Sequence, residues 1–214
     1  VTGIGGLYGA CQGGHLDLVN MMIEKGADDW ELGLVGACQG GQLTMVKLMI
    51  EKGASSWDSG LLGACRYGHL NLVKLMIRKG ADDWVAGLGN ACQSGNIDIV
   101  KLMVEKGIKT WDAGLHGACK GGHLNIVNMM IKKGANDWNF GLEGACEGGH
   151  ISFIKLMIQK GAKPLEEYAV PFKIPKDDIV IEIIYVSLYD YLPDEMINEV
   201  LKYSTVEDFN IKLV

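Results

Sequence analysis

Six cysteines stand at one interval. Cys11, Cys38, Cys65, Cys92, Cys119 and Cys146 are each 27 residues apart, and Trp30, Trp57, Trp84, Trp111 and Trp138 keep the same step. Around them the unit GLLGACRYGHLNLVKLMIRKGADDWVA (60–86) recurs from Gly6 to about Glu167 without an insertion. A unit repeated in tandem at constant length packs against its neighbours the same way each time. The chain is therefore expected to fold as a solenoid rather than around one central core. The array takes residues 1–167, with repeats at 6–32, 33–59, 60–86, 87–113, 114–140 and 141–167, and residues 168–214 do not repeat.

One unit reads as two short helices. Asp29, Ser56, Asp83, Thr110 and Asp137 stand directly before tryptophan, and all are types whose side-chain oxygen can accept from a free first-turn N–H. Helix A is then expected over 30–39, stopped by Gly40-Gly41. Helix B is expected over 43–52, with Gly53 just past its end, where a left-handed conformation carries no Cβ penalty. Helices of about ten residues are not stable alone in water, so stacking must stabilise them.

The segment GHLNLVKLMIRKGADD (68–83) and its copies resemble the second helix of an ankyrin repeat and the turn after it. The GLxGAC stretch sits where that family has its first helix. The unit is six residues shorter than the family's, and the missing residues fall where ankyrins build a β-hairpin finger. The resemblance implies a right-handed solenoid whose first helices line the surface that binds protein partners. The shortened form with DW after GA is similar to repeats of large DNA viruses that infect amoebae, which implies host cytoplasm or virion.

The redox setting follows from the same period. Equivalent atoms of stacked helices lie about 8–10 Å apart, whereas a disulfide needs Cα atoms within roughly 7 Å. The thiols are expected to be reduced, as in an intracellular compartment. The period also keeps them from clustering around a metal ion, and no cofactor is expected. No run reaches eighteen apolar residues, so no spanning helix is expected, and neither a signal peptide nor membrane binding. The net charge of −6 falls wholly after Ala162. A neutral array with an acidic end is a poor nucleic-acid binder. At the start, Thr2 and Gly3 stand where the N-cap residue and tryptophan stand elsewhere, with no polar capping repeat before them. Either the native chain extends upstream or another molecule covers this end, which makes self-association there a possible interaction.

Six copies in one chain show which columns vary. Gly33-Leu34, Ala37-Cys38, Val46, Met49, Lys52 and Gly53 represent columns that hardly change, and they read as packing and turns. Cysteine there acts as a small buried hydrophobe, and Met22, Met49, Met76, Met103, Met130 and Met157 as core fillers. The tryptophans are expected to fill the space of the absent finger. His15, Gln42, His69, Asn96, His123 and His150 share a column that suits a helix start or a bridge between loops, with Asp17, Thr44, Asn71, Asp98, Asn125 and Ser152 beside it as further caps. The row from Lys25 to Lys160 reads as a solvated ridge at the helix B ends. The variable columns are spaced i, i+3, i+7 along helix A, so they share one face. They supply the expected partner-binding residues Tyr8, Gln12, Val35, Gln39, Leu62, Arg66, Gln93, His116, Lys120, Glu143 and Glu147, with Tyr67 and Phe140 beside them. No nucleophile with an oriented base, paired carboxylate set or phosphate loop falls on this face. The chain is expected to be a protein-binding scaffold and no enzyme.

The period fails at Pro164-Leu165. An apolar helix over 179–189, opened by Asp177-Asp178, is expected to cover the last repeat, followed by a helix over 194–203. Residues 192–209 resemble an F-box through Leu192, Pro193 and Glu195 and the apolar Met196, Ile197, Val200 and Leu201. That resemblance implies a ubiquitin-ligase adaptor, against simple end-capping. The expected architecture is all-α: a right-handed α-solenoid of six short helix pairs without β-hairpin fingers, plus a helical C-terminal cap over 168–214.

Overall fold

The computed structural model describes residues 5–163, and among these residues every regular element is an α-helix. In chain order they are α1 Gly6–Gly13, α2 Leu16–Glu24, α3 Trp30–Gln39, α4 Leu43–Glu51, α5 Trp57–Arg66, α6 Leu70–Lys79, α7 Trp84–Ser94, α8 Ile97–Val104, α9 Asp112–Gly121, α10 Leu124–Lys133, α11 Trp138–Gly148 and α12 Ile151–Gln159. Odd-numbered helices are the A helices of the repeats and even-numbered ones the B helices. Helix B ends as the glycine column requires, with Gly53 at φ 111°. The N–H of Ala54 then closes the turn onto the Met49 carbonyl at 3.0 Å.

The capping expectation holds at three of five positions. Asp29, Asp83 and Asp137 accept from the N–H groups of Leu32, Ala86 and Phe140 at 3.0–3.1 Å. Ser56 makes no such bond, and Thr110 is not a cap at all, because α9 starts at Asp112 behind Trp111. The His column forms the helix B N-caps, yet its main use is to bridge repeats. The Nε2 atoms of His69 and His123 meet the carbonyls of Gln39 and Gln93 at 3.0 and 3.1 Å, so Nε2 carries the proton. Asn96 donates to the Gly68 carbonyl in the same way. Asp17, Thr44, Asn71, Asp98, Asn125 and Ser152 correct the expectation, since they lie inside the first turn of helix B and are not caps.

The loops are held by a clamp from the preceding repeat. Glu31 accepts from the N–H groups of Ser55 and Ser56, both at 2.9 Å. Asp58 takes those of Asp82 and Asp83, and Asp112 those of Asn136 and Asp137, at 2.8–3.0 Å. Partial burial works to raise the Glu31 pKa, but the bonds from Ser55 and Ser56 outweigh it and hold the carboxyl below its ordinary value. On α7 this column holds Val85, which cannot accept. There α8 stops at Val104, Ile108 replaces the small buried alanine of the other loops, and α9 starts one residue late. Val85→Asp is therefore expected to capture the N–H groups of Lys109 and Thr110. At about 1 kcal/mol net, the melting temperature should rise by about 2–4 °C. An unchanged melt in a calorimetric scan would show that the clamp only follows loop geometry.

The core lies between the A and B layers. Leu34, Ala37 and Cys38 of α3 meet Val46 and Met49 of α4, all with no exposed surface, and the pattern recurs down the stack. Gly33 leaves room for the thioether, since a Cβ there would lie 2.3 Å from Met49 Sδ. Neighbouring A helices approach closely where two glycines stand four apart. A Cβ on Gly36 or Gly40 would fall on the carbonyls of Tyr8 and Gln12, and on Gly117 or Gly121 on those of Gly89 and Gln93, at 1.9–2.3 Å. In the third and fourth repeats the second glycine is Tyr67 and Ser94, and α3, α5 and α7 pack less closely. Consecutive B helices make few direct contacts, so the stack is joined through its A side.

Candidate functional site

Every residue of the variable columns reaches the surface: none is buried, and Arg66, Tyr67 and Glu147 are exposed. The A helices thus present Tyr8, Gln12, Val35, Gln39, Leu62, Arg66, Gln93, His116, Lys120, Glu143 and Glu147 along one side, with Phe140 and Tyr67 at its edge. Varying columns are not free of repeat-to-repeat contact, however, and this corrects the sequence reading. The Tyr8 hydroxyl donates to Gln39 Oε1. The His116 ring stacks on Phe140 with centroids 4.3 Å apart, and Lys120 Nζ lies 2.5 Å from Glu147.

These contacts divide the face electrostatically. In the last two repeats the charges satisfy each other across α9 and α11. Burial holds His116 below the ordinary imidazole pKa, although Glu147, 3.9 Å away, and Glu143 pull the other way. The donor atoms of His116, Glu143 and Glu147 lie within 4.8 Å of one another, close enough to share an ion. Lys120 already supplies a cation to Glu147 there. In the third repeat, by contrast, Arg66 makes no ion pair among the described residues. Tyr67 beside it is 51% exposed.

Two ladders flank the face. Cys11, Cys38, Cys65, Cys92 and Cys119 are buried free thiols, and Cys146 is half-buried. The tryptophans are half-buried against the core, and the lysine row lies over their rings. Lys52, Lys79, Lys106, Lys133 and Lys160 place Nζ 4.9–6.0 Å from the centroids of Trp30, Trp57, Trp84, Trp111 and Trp138. The row is thus a set of cation–π contacts and more than a solvated ridge. Its signal was the fixed offset of the two columns, which read separately gave two unrelated roles. The F-box-like residues Leu192, Pro193, Glu195, Ile197, Val200 and Leu201 and the expected cap lie outside the described residues.

The profile of the family described as ankyrin repeats (3 copies) matches residues 34–113, 61–141 and 88–168, stepping along the array. The chain belongs to the ankyrin-repeat family. Its fold is also similar to the crystal structure of the human ASB11 ankyrin repeat domain, with a TM-score of 0.51 and 20% identity over 87% of this chain and 98% of that one. No curated protein sequence matches the chain. Ankyrin repeats generally mediate protein–protein interaction and form scaffolds without catalysis of their own. No described helix of this ankyrin-repeat chain is long and apolar enough to cross a membrane.

Proposed function

We propose that this ankyrin-repeat chain is a non-enzymatic scaffold that grips a protein partner with its A-helix face, centred on the third repeat. The observation that carries this reading is the pairing pattern. Tyr8, Gln39, His116, Lys120, Phe140 and Glu147 are engaged within the array, whereas Arg66 and Tyr67 are exposed with no such partner among the described residues. Arginine and tyrosine are enriched at binding hot spots, and Leu62 lies one turn below them on α5. Arg66→Glu with Tyr67→Ala is expected to abolish partner capture in a comparative affinity purification and to leave the circular dichroism melt unchanged. A melt lowered by many degrees would show the two residues to be structural. His116→Ala with Lys120→Ala should instead destabilise slightly, since it removes a stack and an ion pair worth about 1 kcal/mol together.

A second reading is self-association at the first repeat. Leu18 is exposed, while its equivalents Met45, Leu72, Ile99, Ile126 and Phe153, each with a repeat before it, are buried. A further repeat or a second copy would cover it in the same way. Concentration-dependent mass in sedimentation, lost in Leu18→Glu, supports a second copy. The ligase-adaptor alternative rests on the sequence of 192–209 and requires a ligase adaptor among the captured proteins, lost in Ile197→Asp.

A further inference from the structure

The outer face carries a feature that the A-helix reading does not use. Because the B helices stand apart, a groove of about 460 Å³ opens between α4 and α6. Its apolar lining comes from Leu43, Ile50 and Leu75, and its rim from Lys47, Lys74 and Arg78. Lys79 also lines it, with Glu51 as the one acid. The column of Arg78 holds Glu24, Glu51 and Glu105 in the first, second and fourth repeats and Lys132 in the fifth, so a cation replaces the acid at the third repeat as it does at the fifth. None of the four groove cations makes an ion pair among the described residues.

An apolar floor between unpaired cations is the complement of an acidic, apolar peptide. The chain contains one. Residues 177–201, DDIVIEIIYVSLYDYLPDEMINEVL, hold seven carboxylates and no cation among isoleucines, valines, leucines and tyrosines. We propose that the groove between α4 and α6 is a docking site for this acidic segment of the same chain. Reach permits it. Residues 164–176 span at most about 47 Å when extended, and the groove lies three to four repeat steps back, about 24–40 Å. Charge disfavours the A side of the array's end. The last A helix presents Glu143 and Glu147, like-charged with the segment, against Lys155 and Lys160 on the B side. Docking there would occupy the outer face and leave Arg66 and Tyr67 on the A face free.

Carbodiimide coupling of the full-length protein tests this, since it joins a carboxylate to a lysine amine only in contact. Peptide mapping by mass spectrometry should find Asp177, Asp178, Glu182, Asp190, Asp194, Glu195 or Glu199 joined to Lys47, Lys74 or Lys79 within a monomer band. Those links should fall at least tenfold in Arg78→Glu with Lys74→Gln, and in 1 M salt, where exposed charges are screened within about 3 Å. Because the four side chains are exposed, the variant is expected to fold, and its circular dichroism is recorded alongside. Links confined to Lys155, Lys160 or Lys163 would overturn the proposal in favour of an end cap. So would links found only in a dimer band, which would assign the segment to a second copy, or no links at all.

Discussion

Gly117→Ala is expected to destabilise the protein by about 3 kcal/mol, at the upper end of overpacking effects, and to lower its melting temperature by about 6–12 °C. The added methyl would lie 2.1 Å from the carbonyl oxygen of Gly89. That atom belongs to the backbone of α7 and cannot turn aside, so α7 and α9 must separate. The control is Gly63→Ala at the equivalent position of α5. Its nearest neighbour is Gln39 Cγ at 3.0 Å, the middle of a flexible side chain. Alanine is also the better helix former by roughly 0.5–1 kcal/mol. That variant should be neutral or slightly more stable. Equal losses in the two proteins would mean that close helix approach is not what the glycine column provides.

The thiol ladder should be almost inert in the native state and should make the fold sensitive to alkali. Burial pushes Cys38, Cys65, Cys92 and Cys119 up to about 12, from 9.0. At pH 8 the thiolate fraction of each falls roughly 1,000-fold, and only the thiolate reacts. Labelling should therefore be slow when folded and complete in denaturant. The same shift gives a stability slope. The folded chain keeps protons that the unfolded chain releases above pH 9, so stability is full below that pH and is lost as pH rises towards about 12. At pH 10 the loss is slightly more than about 1 kcal/mol per thiol, or about 5 kcal/mol for these four. This is a large share of a typical stability of about 5–15 kcal/mol. A denaturation midpoint unchanged between pH 8 and pH 10 would overturn the assignment, as would rapid native labelling.

The helix pairs, their limits and the buried columns were legible because they follow from local spacing and from the period. Asp29, Asp83 and Asp137 cap the helices they precede, and Cys38, Val46 and Met49 are buried where the fixed columns placed them. What could not be read was long-range hydrogen bonding. Asp58 looks like one more surface acid of a first turn, yet its carboxylate binds backbone 24–25 residues further on. That pairing depends on where stacking brings the next loop. Thr110 illustrates the cost, since its side chain suits a cap but Val85 leaves its loop unclamped. On the A face, variation was visible and the compensation between varying residues was not. His116 meets Phe140 and Lys120 meets Glu147 across neighbouring repeats, in a chain that offers one example of each.

The array is joined unevenly, and this gives it a mechanical character. Between α9 and α11 the loop clamp and the close glycine contact act together, so the two edges of that junction are both fastened. The junctions of α5 with α3 and with α7 keep the clamp of Glu31 or Asp58 but lack the second glycine. They are pinned at one edge and free to open at the other, like pages held by a spine. Junctions with a single fastening thus run from α3 to α9, on both sides of Arg66 and Tyr67, since the α7–α9 junction keeps the glycine contact but lacks the clamp at Val85. A partner whose curvature differs from that of the resting array meets its softest segment first, and the stiff C-terminal repeats keep their shape while it adjusts.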